Sequence, residues 1–317
     1  MVYAQPQVVY AAPPVVYPAP YPYYYGRPPV SLSFGWSNYR GYEVVSAPPP
    51  SSGGTTICQI LNIVEGYPLK DLGWHSAAAA HVQIEAMRHA YFDRNNVLGD
   101  PDFVVNPLAR LLSPDHAAQV RSAIAPDKAG SSRELRPGGS PPQEGSNTTH
   151  YSIVDRFGNA VAVTYTLNGW FGAGVTAAGT GVLLNNEMDD FTVKVGVPNL
   201  YGLVQGEANR IEPGKRPLSS MTPTIVTREG KPVLVVGTPG GSRIITTVLH
   251  TILNVIDYGM NIQEAVDAPR FHQQWLPEPT SLEPFALSPD TRRLLEAMGH
   301  RFGTLQPPNH MAAIIVG

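Results

Sequence analysis

The chain contains one cysteine among 317 residues, and charged side chains make up only 15% of it. A lone thiol, Cys58, excludes an intrachain disulfide and a cysteine-based metal cluster. The formal net charge of -3 gives no sign of the strongly basic surface that binds nucleic acids or anionic membranes. No stretch approaches the roughly 20 apolar residues that a membrane-spanning helix needs. Small-molecule chemistry is therefore the open class of function, and we predict no cofactor, no metal site and no nucleic-acid partner.

Regular structure is not expected at the start of the chain. The first 30 residues are biased toward proline, tyrosine, valine and alanine. Repeated prolines forbid helices and central strands, and they favour extended polyproline II. They also interrupt every apolar stretch before it could form the core of an export signal, so we identify no signal peptide. We expect residues 1–38 to form a disordered arm.

From residue 39 to residue 147 the sequence favours helices. Apolar residues recur at helical spacing in 57–64 and again in 75–94. Ser113 followed by Pro114 is a typical helix start. A polar stretch rich in proline, glycine and serine closes this region. The helical repeat of the second segment consists of Ile84, Met87 and Tyr91.

From residue 148 to residue 317 strands and helices are mixed. Alternating apolar residues on both sides of the turn at 157–159 predict a β-hairpin, and a second hairpin is predicted around Glu229-Gly230. A long apolar helix is predicted over 242–259, and two shorter helices follow. Hairpins with helices covering them indicate layered α and β structure. The two shorter helices are marked by capping-box spacing at Asn261 and Glu264, and by a Ser-Pro entry and Gly exit in 288–299.

Two adjacent threonines, Thr148 and Thr149, stand where the polar stretch becomes the first hairpin. A threonine hydroxyl is a poor nucleophile unless a base removes its proton. The free α-amine of the same residue can serve as that base once the chain is cut before the threonine. Such an amine titrates near ~7.7–8.0 and accepts a proton at neutral pH. The hydroxyl of Thr148 could make the cut by attacking the carbonyl of Asn147 and shifting the acyl group from nitrogen to oxygen. Ser-Asn-Thr-Thr is equally typical of an ordinary polar strand entry.

Three further clusters carry groups that could contact a substrate. Gly240 and Gly241 lie between a strand and a long helix, where their N–H groups could donate to an oxyanion or simply form a tight turn. The polar, acidic run at 185–190 could hold an ammonium group. The hydroxyls of Ser219 and Ser220 suit a carboxylate. Each of the last two clusters could also be a solvated turn.

Taken in order, these segments resemble the γ-glutamyltranspeptidases (glutathione hydrolases), a family of N-terminal-nucleophile hydrolases. The resemblance runs from about Tyr39 to the C-terminus. It implies an α+β fold, the four-layer αββα sandwich of N-terminal-nucleophile hydrolases, here incomplete. The motifs that carry the resemblance are "YRGYEVVSAPPPSSGG", "VLGDPDF", "TTHYSIVDRFGNAVAVTYTLN", "GVLLNNEMDDF", "PNLYGLVQGEAN", "KRPLSSMTPTIV", "GTPGGSRIITTVL" and "APRFHQQWLP".

The resemblance also implies roles for individual residues. Self-cleavage between Asn147 and Thr148 would make Thr148 the first residue of a small subunit and the residue that forms a γ-glutamyl ester. Thr149 would then be structural. The other implied roles are contact with the nucleophile's amine for Thr166, cover of the site for Tyr201, binding of the α-ammonium for Asn168, Glu187 and Asp190, binding of the α-carboxylate for Ser219 and Ser220, and the oxyanion hole for Gly240 and Gly241.

The reaction implied by the resemblance is transfer of a γ-glutamyl group. Glutathione or another γ-glutamyl compound would donate it, and water, an amino acid or a dipeptide would accept it. The large-subunit part (39–147) and the small subunit (148–317) would remain together as a heterodimer. The resemblance further implies a periplasmic or extracellular location.

Two alternatives remain open, because only 39–147 matches the family's large subunit. The arginine with which the family pairs the glutamyl α-carboxylate is expected outside the matching part. The chain could therefore be an inactive truncated or fused remnant whose arm mediates any remaining interaction. It could also be an acylase of the same fold, although Asn168, Asp190, Ser219 and Ser220 favour an amino-acid-like acyl group.

Overall fold

The structure, a computed structural model, describes residues 35–132, 148–305 and 307–317. Most of the predicted arm, and Asn147 of the predicted cleavage site, lie outside these residues. In the described ranges the strands are β1 (Gly35–Tyr39), β2 (Tyr42–Ser46), β3 (Thr148–Val154), β4 (Ala160–Thr166), β5 (Thr224–Arg228), β6 (Lys231–Gly237), β7 (Phe271–His272), β8 (Thr280–Leu282), β9 (Phe302–Leu305) and β10 (Ala312–Ile315). The α-helices are α1 (Gly53–Val64), α2 (Leu69–Leu72), α3 (Ala77–Val97), α4 (Leu108–Leu111), α5 (Pro114–Ala123), α6 (Ile244–Ile256), α7 (Ile262–Asp267) and α8 (Pro289–Ala297).

A five-stranded sheet in the order β1-β2-β5-β6-β10 forms the centre of the described structure, and every neighbouring pair is antiparallel. Its edge strand β1 begins at Gly35, so residues 35–38 belong to a strand and the predicted end of the arm at residue 38 is wrong. The strand forms because its backbone pairs along β2. The hydroxyl of Tyr39 also donates to Asp257 at 2.8 Å, a contact between residues 218 positions apart that local pattern cannot reveal.

The two faces of the central sheet carry different layers. Leu234 and Val236 of β6 pack into the main apolar core with residues of α1 and α6. The next residue, Gly237, faces the opposite side, where a side chain would meet the ring of His150 in β3. The β3-β4 hairpin therefore lies on the face of the sheet away from the helices.

Most predicted helices are confirmed, with shifts at their ends. Ser113 caps α5 by accepting a hydrogen bond from His116 N at 3.1 Å, and Asn261 with Glu264 forms the predicted capping box of α7. The long apolar helix begins at Ile244 rather than residue 242, after one 3₁₀ turn. Its entry differs because Gly240 and Gly241 have φ values of 142° and 56°, which an α-helix does not accommodate.

The predicted α+β class is confirmed, and the described residues supply three of the four layers expected from the resemblance. Helices, the five-stranded sheet and the hairpin are present, while in the described ranges no helix covers the outer face of the hairpin. Tyr151 and Tyr165 on that face are 45% and 59% exposed. A separate three-stranded sheet, β7-β8-β9, lies near the C-terminal helices. None of the helices described combines the length and hydropathy needed to cross a membrane.

Candidate active site

Thr148 is the first residue of β3 and pairs with Thr166, the last residue of β4. Its Oγ1 donates to Thr166 Oγ1 at 3.2 Å. Thr149 pairs with Tyr165 and is exposed, because successive residues of a strand point to opposite faces. The strand register thus separates the two threonines, and only Thr148 points toward the central sheet.

Asn168 holds the turn that follows β4. Its backbone N–H donates to Thr166 Oγ1 at 2.8 Å, and its side-chain Nδ2 donates to the carbonyl of Asn186 at 3.1 Å. It adopts a φ of 70°, a left-handed conformation that asparagine tolerates better than most residues. The Tyr201 hydroxyl donates to the Asn168 carbonyl at 2.8 Å, so Asn168 links the end of β4 to Tyr201.

The acidic pair, Glu187 and Asp190, lies in one 3₁₀ turn. Burial, followed by the negative charge of Glu187, raises the pKa of the Asp190 carboxyl well above its ordinary value. The charge of Arg94 opposes this rise in the Asp190 pKa. Burial also raises the pKa of Glu187. A cationic group placed beside these two carboxyl groups, which are partly removed from water, would stabilise their ionised form.

Ser219 and Ser220 are held by residues far away in the chain. The Ser219 carbonyl accepts the N–H of Ser52 at 2.8 Å and its hydroxyl at 2.7 Å. The Ser220 hydroxyl accepts a hydrogen bond of 2.8 Å from Nη2 of Arg94. Arg94 is not among the site residues predicted from the sequence, although the buried repeat of α3 (84, 87, 91) reaches it at the next step of three.

The two glycines of the predicted oxyanion hole are places where only glycine fits. A Cβ on Gly241 would lie 2.3 Å from Cδ1 of the Tyr201 ring. A Cβ on Gly240 would lie 2.2 Å from Nδ2 of Asn309, a further neighbour that the sequence did not indicate. Both contacts are closer than any ordinary carbon contact, so Tyr201 and Asn309 pack directly on the backbone of this turn.

These groups meet around one small cavity of about 20 Å³. That space holds about one water molecule. Thr148 and Thr166 also line a larger cleft of about 520 Å³. Tyr201, which packs on Gly241 and is only 4% exposed, is the bulky side chain in the wall. Gly240 and Glu187 do not line the small cavity. Gly241, which follows Gly240, and Asp190, which shares a 3₁₀ turn with Glu187, do line it. The predicted site residues that line it are Thr148, Thr166, Asn168, Asp190, Tyr201, Ser219, Ser220 and Gly241, together with Met221 and Ile244.

One group of possible metal ligands exists among the described residues, and it lies outside this cavity. His81, Glu85 and His300 are buried, with ligand atoms within 4.8 Å of one another. However, His81 Nδ1 and His300 Nε2 are 2.7 Å apart, which is a hydrogen bond. Two nitrogens that share a tetrahedral zinc ion at ~2.0–2.1 Å stand farther apart than this. The two imidazoles therefore form a hydrogen bond with each other.

Comparison with known proteins agrees with the resemblance. The family model described as gamma-glutamyltranspeptidase matches residues 31–316. A glutathione hydrolase proenzyme of Pseudomonas sp. (strain A14) is 72% identical over 280 residues, which are 88% of this chain and 48% of that protein. An acylase proenzyme, ACY 1 of Pseudomonas sp. (strain V22), is 42% identical over 233 residues, which are 74% of this chain and 39% of that protein.

A solved structure supports the same relationship. The crystal structure of a mutant gamma-glutamyltranspeptidase of Helicobacter pylori is 58% identical, with a TM-score of 0.52, and the match covers 53% of this chain and 91% of that one. The chain spans about half the length of the curated glutathione hydrolases it matches. Since the family model matches nearly the whole chain, the chain belongs to the gamma-glutamyltranspeptidase family.

Proposed function

We propose that this chain carries the self-cleaving and catalytic part of a glutathione hydrolase, which transfers γ-glutamyl groups through Thr148. One observation carries the proposal. The Thr148 hydroxyl lies 3.2 Å from that of Thr166, on a cavity whose wall also holds Asp190, Ser219 and Ser220. An acid and two hydroxyls suit the α-ammonium and α-carboxylate of a glutamyl group.

The first step is self-cleavage. The Thr148 hydroxyl attacks the carbonyl carbon of Asn147 and the acyl group moves from nitrogen to oxygen. Water hydrolyses the ester, leaving a carboxylate on Asn147 and a free amine on Thr148. That amine, with a pKa near ~7.7–8.0, is the base that the mature nucleophile needs. The large-subunit and small-subunit parts stay together as a heterodimer.

The second step is acyl transfer. The Thr148 amine takes the proton of its own hydroxyl, and the oxygen attacks the γ-carbonyl of glutathione or a related amide. N–H groups of Gly240 and Gly241 stabilise the oxyanion, and the proton passes to the leaving amine. Water, an amino acid or a dipeptide then attacks the γ-glutamyl ester and frees Thr148.

Denaturing electrophoresis and a chromogenic γ-glutamyl anilide test both steps. Wild-type protein should give two fragments divided before Thr148 and should release chromophore. Thr148→Ala should give one full-length band and no release above background. Thr149→Ala is the matched control, because Thr149 faces away from the sheet, and it should cleave like the wild type. A single uncut band for both wild type and Thr148→Ala would favour the inactive remnant.

An acylase acting on another amide is the second candidate, because an acylase proenzyme is 42% identical to the chain over 233 residues. The two candidates differ in their need for the ammonium group, which Asp190 would bind. A glutaryl anilide keeps both carbonyl ends of the acyl group but lacks the ammonium. Turnover of the glutaryl anilide at the rate of the γ-glutamyl anilide would favour the acylase, and a strong preference for the γ-glutamyl compound would favour the glutathione hydrolase.

A further inference from the structure

Arg94 is a buried cation whose direct hydrogen-bond partners are all neutral. It lies in the last turn of α3 and is 1% exposed. Within the part of the chain that the structure describes, no carboxylate lies within salt-bridge distance of it. Burial lowers the pKa of the Arg94 guanidinium, and the charge of Asp190, which is not in contact with it, opposes this lowering. A buried charge without an opposite charge in contact is costly, so an anion bound in the adjoining cavity would stabilise Arg94. Its partners are Ser52 Oγ at 2.9 Å, Asn95 Oδ1 at 2.7 Å, Gln205 Oε1 at 3.4 Å and Ser220 Oγ at 2.8 Å.

The bond from Arg94 decides which way the Ser220 hydroxyl works. A guanidinium has donors only, so Ser220 Oγ must accept from Arg94 Nη2. The hydrogen of the Ser220 hydroxyl is thereby left to donate elsewhere, and Ser220 lines the cavity. A hydroxyl fixed as a donor toward a cavity, with a cation directly behind it, is suited to an anionic oxygen.

Arg94 also fixes the neighbouring serine through a second path. Its Nε donates to Ser52 Oγ at 2.9 Å, and that hydroxyl donates to the Ser219 carbonyl at 2.7 Å. The Arg94 guanidinium is thus connected by two hydrogen-bond paths to Ser219 and Ser220. Because its planar fork spans the two paths, a lysine, which has a single nitrogen, cannot reproduce them.

We infer that Arg94 is the positioning residue for the carboxylate end of the ligand, acting through Ser220 and supplying the positive charge behind it. The inference rests on the proposed function, in which Ser219 and Ser220 receive the α-carboxylate. Under this inference, Arg94 of this chain supplies the positive charge that faces that carboxylate.

Binding and turnover together test the inference on the full chain. The binding probes are L-glutamate and 4-aminobutanoate, which lacks the α-carboxylate. The substrates are the γ-glutamyl anilide and the 4-aminobutanoyl anilide. Arg94→Gln should weaken L-glutamate binding and raise KM for the γ-glutamyl anilide by about 10- to 100-fold, the effect of losing a charge-assisted contact. The constants for the two probes without the carboxylate, and kcat, should change less than about threefold.

Matched variants separate this role from a structural one. Arg88 is a second buried arginine on α3, bound to Glu85 and Glu278 rather than to the cavity, and Arg88→Gln should leave the ratio of the two KM values unchanged. Arg94→Lys should fall between the wild type and Arg94→Gln. Should Arg94→Gln fail to fold, Ser220→Ala must show the same selective loss, because the contact passes through that hydroxyl. Equal losses for both substrates, or unchanged L-glutamate affinity in Ser220→Ala, would overturn the inference.

Failure of the proposed function gives a different result. Wild-type protein that does not cleave or turn over, yet binds L-glutamate in an Arg94-dependent way, would remove the enzyme and keep the carboxylate site. Wild-type protein that turns over the γ-glutamyl anilide, with no selective effect in the Arg94 variants, would keep the enzyme and remove the inference.

Discussion

Glu187 and Asp190 lie in one 3₁₀ turn, and the charge of Glu187 acts on the Asp190 carboxyl. Binding of an α-ammonium requires Asp190 in its ionised form. The factors that raise its pKa, burial first and the charge of Glu187 second, oppose ionisation, and Arg94 favours it. Activity should therefore fall as the pH falls through the pKa of Asp190. The charges around this carboxyl set the acidic limit of the proposed reaction.

Replacing Glu187 with glutamine should move that limit. Glu187→Gln removes the like charge, so the pKa of Asp190 falls and Asp190 stays ionised to lower pH. The acidic limb of kcat/KM for the γ-glutamyl anilide should shift to lower pH. Glu207→Gln, at a carboxylate that is 70% exposed, is the control and should leave the limb in place. A shift of the limb to higher pH would contradict this account of Asp190.

At the scale of elements, short-range contacts define where several helices begin. The Ser113 hydroxyl accepts from His116 N at 3.1 Å and donates to the Arg110 carbonyl at 2.8 Å. Ser288 makes the equivalent contact with Thr291 N at 3.1 Å. In both helices a proline follows the serine and presets the first helical φ. These contacts join residues three or four positions apart, so the sequence alone predicts them.

Removing the cap of α5 should lower stability. Ser113→Ala should reduce the free energy of unfolding by about 1 kcal/mol, because a helix N–H loses its acceptor. Ser122→Ala, on an exposed position inside the same helix, should leave stability unchanged or raise it by up to ~0.5 kcal/mol, since alanine is the better helix former. Urea denaturation measures both. Equal losses in the two variants would show that the cap contributes nothing specific.

At the scale of the whole molecule, the outer face of the hairpin is an apolar surface next to the candidate active site, and no other described element covers it. Its apolar side chains alternate with those that face the sheet, as the register of β3 and β4 requires. Such contiguous exposed apolar area is typical of a surface that another layer covers. The exposed side chains of this face are Tyr151, Ile153, Val161 and Tyr165.

This face should bind an apolar dye. The folded chain should enhance the fluorescence of 8-anilinonaphthalene-1-sulfonate, and Ile153→Lys should reduce that enhancement while changing the unfolding free energy by no more than about 0.5 kcal/mol. Val105→Lys is the control, because Val105 is 95% exposed and belongs to no such face. If the dye signal is absent from the wild type, or falls equally in the control, the face is not the apolar surface described.

The sequence determined the class of fold and the local chemistry. It placed both hairpins, the helix caps and Thr148 at the mouth of the first hairpin, because each depends on contacts between residues near in the chain. The family relationship, confirmed by comparison, rests likewise on motifs read in order. The roles assigned to single site residues remain predictions.

Only the tertiary structure decided which of these groups meet and what holds them. Arg94 reaches Ser220 across 126 positions, and Ser52 reaches Ser219 across 167. Tyr201 rests on Gly241, and the edge strand β1 is joined to the core through Tyr39 and Asp257. Local preferences act over a few residues, whereas these contacts depend on how strands and helices pack, so no repeat or cap in the sequence specifies them.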